Sequence, residues 1–227
     1  MRLIAMKNSY KYTLLSVITC FVITHNTRAQ LPDSEINRAV KKASFFDFRG
    51  SNILDLGIGT SVPNNDFDNP LFEMYFKAGY KRYLTSHIFL SIDYHKFNLA
   101  NENIANNGFM SFDINVHAML LPYQKLSPFL FIGSGFTASN YFEDTFQKLQ
   151  VGTGIEYMII EKVGVTLFSD FNYMIDDTLD GLEAGDSNDT FFRLGFGVNF
   201  YFGGSAKKDE IMRNVPTVIK SNPIRNR

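Results

Sequence analysis

Two acid–histidine combinations offer the most chemistry in this sequence. His95 follows Asp93 by two positions, and His117 follows Asp113 by four. Residues two or four apart in a strand share a face, so each histidine lies on the side of its carboxylate. Such a pair suits a general base, and a His/Asp cluster also suits a metal. No serine in a strained elbow and no complete triad accompanies them. We therefore favour a structural polar role and assign no catalytic, cofactor-binding or metal-binding residue.

The segment 176–189 is an acidic stretch without a base. Its acids are Asp176, Asp177, Asp180, Glu183, Asp186 and Asp189. Calcium takes about six to eight oxygen ligands, which such a loop can supply. The spacing does not match an EF-hand, however, and acidic loops are commonly solvated without a ligand. Both interpretations stay open.

The end of the chain differs in charge from the rest. Residues 203–227 carry a net charge of +4, whereas residues 31–202 carry −9. Within the tail, Val215, Pro216, Thr217, Val218 and Ile219 form an apolar stretch, unlike a purely solubilising tail. We predict that this stretch adds a strand to a partner protein or fits its groove. A disordered overhang and an approach of the basic tail to the acidic remainder of the chain are the alternatives.

Composition excludes several classes of protein. A pI of about 6.4 argues against a nucleic-acid partner. One cysteine excludes a disulfide framework and a multi-cysteine zinc site. Beyond the N-terminus no run of 18 apolar residues occurs, which excludes a helical membrane protein. The 23 Phe, 11 Tyr and 16 Gly are typical of a β protein with one apolar face per strand.

Residues 1–30 have the features of a secretory signal peptide. They contain four basic residues and no acid, with an apolar stretch from Leu14 to Ile23. We predict export and cleavage after Ala29 or Gln30. A leader over 31–50 follows. It has a predicted short helix from Pro32 to Ala43, with Ser34 as its cap and Ile36, Val40 and Ala43 on one side. A flexible leader is the alternative.

From Ser51 onward the chain repeats one pattern eight times: apolar residues alternate with polar residues or glycine, and a turn follows. The segments are 51–62, 71–85, 87–100, 108–123, 126–140, 146–160, 163–175 and 189–202. This period of two, with its aromatic and β-branched residues, predicts strands. They are longer than the about 5–6 residues of soluble strands and match the about 9–11 tilted residues that cross a bilayer.

The lengths of the connections between the segments indicate what kind of β-sheet structure the strands form. Short links at 85–86, 124–125 and 161–162 alternate with longer links at 63–70, 101–107, 141–145 and 176–188. Outer-membrane barrels have short periplasmic turns, long outer loops and an even strand number. We therefore predict an all-β fold over 51–202, an eight-stranded antiparallel up-and-down transmembrane β-barrel. The leader and the tail are then periplasmic extensions. A soluble sandwich is the alternative.

In such a barrel the polar face of each strand lines the lumen. The alternation assigns a polar network to it: Asp55, Glu73, Lys77, Lys81, Asp93, His95, Asp113, His117, Glu156, Asp170 and Arg193. An eight-stranded lumen is just wide enough for side chains to fill, so we expect an ion-paired core without an open channel. Aromatic residues near the strand ends fit interfacial girdles: Phe72, Tyr80, Tyr83, Tyr94, Phe97, Tyr123, Phe129, Tyr157, Tyr173, Phe200 and Phe202.

The eight segments, the Ala29-Gln30 exit and the closing stretch from Gly195 to Phe202 resemble a known group. They resemble the small outer-membrane β-barrel proteins of Bacteroidetes-type bacteria, relatives in architecture of OmpA and OmpX. The resemblance covers about 51–202. It implies insertion by the barrel-assembly machinery, which reads an aromatic-ended final strand. The tail after that strand departs from the simple pattern. More faintly, the set resembles barrel components that accompany curli-type secretion.

Several functions fit this architecture. We favour a non-enzymatic anchor or accessory subunit of an envelope or secretion-type complex, which contacts a periplasmic protein through residues 203–227. A stand-alone structural or surface-interaction barrel that uses its acidic outer loops is the alternative. A lumenal lipid-modifying enzyme that uses His95 and His117 is a further hypothesis. The expected partners are the lipid bilayer, the assembly machinery and that periplasmic protein. We expect no cofactor and no nucleic acid.

Overall fold

Eight long strands make up most of the described chain. The computed structural model describes residues 35–64, 69–102, 107–140, 142, 144–175 and 189–214. The strands are β1 Asn52–Asn64, β2 Glu73–Tyr83, β3 Ile88–Leu99, β4 Asn107–Met119, β5 Leu126–Ser139, β6 Thr145–Ile160, β7 Val163–Met174 and β8 Thr190–Phe202. Each coincides with one alternating segment of the sequence, because successive side chains of a strand point to opposite faces.

The strands close into a barrel. Each strand pairs antiparallel with the next along the chain, and β8 pairs with β1. Asn52 lies opposite Phe202 and Asn64 lies opposite Thr190, so the closing seam runs the full length of β1. Closure removes the sheet edges, whose backbone groups would otherwise lack partners. The predicted eight-stranded antiparallel up-and-down barrel is confirmed.

The two ends of the barrel differ in their connections. We call the end with the links 84–87, 120–125 and 161–162 the short-turn end, and the end with the links 65–72, 100–106, 140–144 and 175–189 the long-loop end. The link 120–125 is longer than predicted because β4 ends at Met119. Pro122 has no N–H to continue the ladder. The contrast between the ends therefore rests mainly on 65–72 and 175–189.

The outer face of the barrel is apolar. Ile58, Ile92, Ile132 and Phe196 each expose 60–66% of their surface, and similar side chains follow every strand. In a water-soluble protein such residues are mostly buried. This arrangement, apolar outside and polar inside, is the one that transmembrane barrels use.

Apolar side chains also form a layer at each end of the lumen. The long-loop layer consists of Tyr75, Phe97, Leu99, Phe109, Phe146, Met174 and Phe191, and Phe129, Phe131 and Phe168 extend the same cluster inside the lumen toward the short-turn end. The short-turn layer consists of Phe45, Ile53, Tyr83, Phe89, Met119, Met158 and Tyr201. The prediction that Tyr83, Phe97 and Phe129 belong to interfacial girdles is therefore wrong. Their strand parity points inward, and parity decides the face on which a side chain lies.

Two helices flank the barrel, α1 Glu35–Phe48 and α2 Ser205–Arg213. The chain divides into two compact units, Met1–Asn37 and Arg38–Arg227, and the described part of the first is the start of α1. Helix α1 runs to Phe48 rather than ending at Ala43 as predicted. Its Val40 is 50% exposed, whereas Ala43 and Phe45 are buried. The large Phe45 ring, not the predicted apolar side, decides which face packs on the barrel.

Neither helix in the described part of the chain has the length and apolarity to span a bilayer. The predicted signal peptide and its cleavage site lie outside the described residues, as do Val215 to Ile219 of the tail. The same holds for the acidic loop up to residue 188. Its last acid, Asp189, is buried just before β8.

Candidate functional site

A layer of charged side chains fills the lumen between the two apolar layers. Among the described residues, the ion pairs and hydrogen bonds of this layer involve five buried carboxylates and five buried cations, one of which is Arg49. The carboxylates are Asp55, Asp93, Asp113, Glu156 and Asp170, and the cations are Arg49, Lys77, Lys81, Lys148 and Arg193. A buried charge without a partner costs several kcal/mol, roughly 3–5. The equal numbers of the two signs in this layer therefore let each charge find an opposite partner.

On one side of the lumen, the charges of β1, β2 and β3 pair with each other. The Oδ2 atom of Asp55 lies 2.8 Å from the Nζ atoms of both Lys77 and Lys81. Lys77 also lies 3.5 Å from Asp93, which accepts hydrogen bonds from Ser91 and from Asn115 at 2.9 Å. The two aspartates share Lys77, so this cluster holds two negative and two positive charges.

Asp113 forms the centre of a second cluster, which crosses the lumen. Its Oδ2 atom lies 2.9 Å from Lys148 Nζ on β6 and 3.4 Å from Arg193 Nη2 on β8. Arg193 Nε donates to Asp170 on β7 at 2.7 Å. Lys148 donates further hydrogen bonds to the side-chain oxygens of Gln150 and Asn172. The cluster ties β4 to the opposite wall of the barrel.

His95 joins this cluster in a geometry of chemical interest. Its Nε2 atom lies 3.0 Å from Asp113, and its Nδ1 atom lies 2.7 Å from the Tyr75 hydroxyl. A hydroxyl, an imidazole and a carboxylate are also the groups that make up a nucleophilic triad. All three side chains, however, expose at most 2% of their surface. The three side chains are buried in the lumen, and His95 Nε2 and Asp113 Oδ1 have no hydrogen-bond partner among the residues that the structure describes.

The second histidine lies in a different environment. His117 Nε2 lies 2.9 Å from Ser91 Oγ, and its ring stacks between Phe89 and Phe131 at centroid distances of 4.4 and 4.9 Å. The acid–histidine combinations seen along each strand are thus replaced by contacts between strands. Within the described residues, no cluster of three or more His, Cys, Asp or Glu side chains has the arrangement to hold a metal ion.

One residue that the sequence assigns to the network, Glu73, lies at its margin. Two cations that the sequence does not assign to it, Lys148 and Arg49, lie within it. Glu73 is only partly buried, at the start of β2 near the long-loop end. Lys148 has the same strand parity as Glu156, so the alternation along β6 was the signal that could have found it. Arg49 lies outside the alternating segments, and nothing in its local sequence pairs it with the lumen.

Arg49 closes the short-turn end of the lumen from below. Its Nε atom donates to Glu156 at 3.0 Å and its Nη2 atom donates to Ser127 Oγ at 3.0 Å. Its Nη1 atom donates to the carbonyl oxygens of Pro122 and Gln124. Burial by itself lowers the pKa of the guanidinium, but the interactions with Glu156, Tyr201 and Tyr83 together outweigh this effect, and the pKa of Arg49 is raised. Arg49 therefore stays charged and fastens the end of α1 to the barrel.

Helix α1 packs into the same opening. Phe45 forms edge-to-face contacts with Tyr83 and Tyr123 at centroid distances of 5.0 and 6.4 Å. The chain then passes β8 so closely that a Cβ atom on Gly50 would lie 2.3 Å from the Phe202 carbonyl oxygen. Only glycine allows this approach. Phe45 and Arg49 together make α1 a plug of the short-turn end.

Two lysines fasten the helices at the surface. Lys162, at φ 64° in the link between β6 and β7, donates to the carbonyl oxygens of Phe46 and Arg49 at the end of α1. Burial lowers the pKa of Lys162. Lys208 of α2 donates a hydrogen bond to the Asp47 carboxylate of α1, and this bond raises the pKa of Lys208. Cations at a helix C-terminus satisfy its last carbonyl groups.

Comparison with known proteins gives the fold a context. No protein-family model matches the chain, and no curated protein matches it significantly. Among solved structures, Neisserial surface protein A is similar with a TM-score of 0.56 and 13% identity, over 67% of this chain and 98% of that one.

Two further structures are more distant. Ail, the attachment invasion locus protein of Yersinia pestis, has a TM-score of 0.44 and 12% identity, over 67% of this chain and 99% of its own. The outer membrane enzyme PagL has a TM-score of 0.42 and 12% identity, over 66% of this chain and 99% of its own. At these identities the likeness concerns the fold alone.

Proposed function

We propose that this chain, which has the fold of small eight-stranded outer-membrane β-barrels, is a non-enzymatic anchor or accessory subunit in an outer membrane. Its short-turn end and both termini face the periplasm, as short turns do in such barrels. The signal peptide delivers it, and the barrel-assembly machinery inserts it. The contacts that serve its function lie outside the lumen.

The plugged lumen is the observation that carries this proposal. Charges balance inside, apolar layers lie above and below them, and Phe45 and Arg49 occupy the short-turn opening. Within the part of the chain that the structure describes, these side chains leave neither a pore through the lumen nor room for a substrate beside the His95 relay. The Tyr75–His95–Asp113 relay is sealed, which speaks against a lumenal enzyme.

The two helices favour an anchor over a stand-alone barrel. A barrel needs no folded structure beyond its strands, yet α1 and α2 join through Lys208 and Asp47 at the short-turn end. A Cβ atom on Gly204 would lie 2.6 Å from the Phe46 ring, so the turn into α2 also fits closely against α1. We call α1 and α2 the helical platform. This platform presents a surface to a periplasmic partner protein. Residues Val215 to Ile219 then add an extended strand to that partner.

A pull-down from detergent-solubilised outer membranes tests this proposal. The full chain is compared with a chain that ends at Phe202 and with the Val218→Asp/Ile219→Asp variant. We expect a defined partner to be recovered with the full chain and lost with both variants, while all three insert. If all three insert and recover no partner, the anchor proposal fails and a stand-alone barrel replaces it. Alanine at His95 and His117 tests the enzyme hypothesis, since unchanged folding and phenotype would reject it.

A further inference from the structure

The helical platform and the barrel enclose a pocket that the proposed function does not use. It lies between α1, α2 and the link 84–87, and has a volume of about 240 Å³. Lys42 of α1 and Lys207 of α2 line it from two sides, and Thr85 and Ser86 line it from the barrel. The pocket therefore brings together three parts of the chain that are distant in sequence.

The polar half of the pocket favours an anion. Its lining includes two lysines and no acid. Asp47 is the α1 acid nearest to Lys42 in sequence, and it is paired with Lys208. Lysine ammonium groups bind phosphate as point charges, and hydroxyl groups can donate to the same oxygens. The charge of the pocket is thus complementary to a phosphate group.

The apolar half of the pocket continues into the outer face of the barrel. The apolar half is lined by Leu84, which is 56% exposed, and by Ile211, and it lies beside the polar half. Leu84 directly follows β2, whose outward residues Phe76 and Tyr80 belong to the apolar outer face. An occupant with an anionic head and an apolar chain would therefore meet matching surfaces on both halves.

We infer that this pocket binds the headgroup of an anionic phospholipid from the membrane leaflet at the short-turn end. Lys42 and Lys207 hold the phosphate, and Leu84 contacts the first methylene groups of an acyl chain. Basic pockets between helices at a membrane surface bind anionic headgroups in this way. The inference rests on the proposed membrane location and not on docking of a partner protein.

Lipid retention by the purified full chain tests this inference. The protein in mixed detergent micelles is titrated with phosphatidylglycerol or phosphatidylcholine, and bound lipid is counted by native mass spectrometry. We expect a preference for phosphatidylglycerol that falls about tenfold in the Lys42→Glu/Lys207→Glu variant. The Arg38→Glu/Arg213→Glu variant is the matched control. It reverses one exposed cation on each helix outside the pocket, and we expect its preference to stay within about twofold.

Three results would overturn the inference. Equal losses in both variants would mean that the net charge of the platform, not the pocket, attracts the lipid. The absence of a preference in the unmodified protein would remove the site. Displacement of phosphatidylglycerol by inorganic phosphate or by an acidic peptide at the same concentration would assign the pocket to those ligands. Circular dichroism verifies that each variant is folded, and vesicle insertion is measured separately, so that failure of the membrane location is distinguished from failure of the site.

Discussion

Individual side chains determine how the lumen accommodates buried charge, and Asp113 contributes most to this. Its Oδ2 atom lies within 3.4 Å of His95, Lys148 and Arg193, which come from three different strands. The two cations among them, Lys148 and Arg193, would be costly to bury without it. The stability of the barrel therefore depends on this carboxylate more than its single charge would imply.

We expect Asp113→Asn to lower the free energy of unfolding by about 3 kcal/mol, because Lys148 and Arg193 would lose their shared counter-charge. Urea unfolding in detergent micelles measures this change. Asp144→Asn, at an exposed position of the link 140–144, is the matched control and should shift the free energy by less than about 0.5 kcal/mol. A similar small shift for Asp113→Asn would contradict the description of the cluster.

Two glycines of β1 provide a second comparison at this scale. A Cβ atom on Gly59 would lie 2.0 Å from the Leu194 carbonyl oxygen, whereas one on Gly57 would lie 3.1 Å from that of Phe196. Backbone atoms of a paired strand cannot yield as a flexible side chain does. We expect Gly59→Ala to destabilise the barrel by roughly 1–3 kcal/mol and Gly57→Ala to cost clearly less. Equal urea midpoints for the two variants would show that the seam between β1 and β8 adapts.

The sequence predicts which residues face the lumen but not which of them form pairs. The period of two predicts that Asp55, Asp93, Asp113, Glu156 and Arg193 share the lumenal face, because parity is a local property. It does not predict that His95 pairs with Asp113 rather than with Asp93. That choice depends on the register of β3 against β4. Arg49 lies 107 residues from its partner Glu156, a contact that no local pattern encodes.

Among the elements, α1 is attached by two ion pairs of different kinds. Arg49 and Glu156 are each 1% exposed, whereas Lys208 and Asp47 are 39% and 43% exposed. Solvent and salt screen an exposed pair, so it contributes little to stability, while breaking a buried pair is costly. The plug should therefore depend on the first pair and hardly on the second.

Limited proteolysis with trypsin tests this difference, since cleavage after Lys41 or Lys42 requires α1 to open. We expect Arg49→Met to raise the cleavage rate at these sites by about tenfold or more, because cleavage follows the population of the open form. Lys208→Met should change the rate by about twofold at most. If the two variants were cleaved at the same rate, Arg49 would not be the attachment that holds the plug.

The elements also differ in how well the sequence predicts them. All eight strands follow from alternation, because the bilayer and the lumen impose opposite chemistry on the two faces. The end of helix α1 is predicted five residues too early, since it is set by Phe45 and Gly50 meeting the barrel. Helix α2 occupies the charged part of a tail for which no helix was predicted. Packing partners, not local pattern, determine both helices.

For the molecule as a whole, the lumen is closed at two levels. Phe45 and Arg49 close the short-turn end, while Phe97, Phe109 and Phe191 stack in the long-loop layer. The two closures are formed by different side chains. Opening one level should leave the other intact.

We therefore expect the full chain to show no steady conductance in planar bilayers, since an eight-stranded lumen filled by side chains leaves no aqueous path. The Phe45→Ala/Arg49→Ala variant should stay closed as well, because the long-loop layer remains. Bilayers without protein give the baseline. Stable current steps from this variant would mean that α1 alone blocks the lumen.

The balance of lumenal charge also sets the order in which the barrel can assemble. The first seven strands carry all five lumenal carboxylates but only Lys77, Lys81 and Lys148 as counter-charges. The two missing cations arrive with Arg193 on the final strand and with Arg49 on the plug. An intermediate without them holds two excess negative charges, which must stay hydrated. We therefore expect dehydration of the interior, closure of the last seam and seating of the plug to be coupled into one cooperative step.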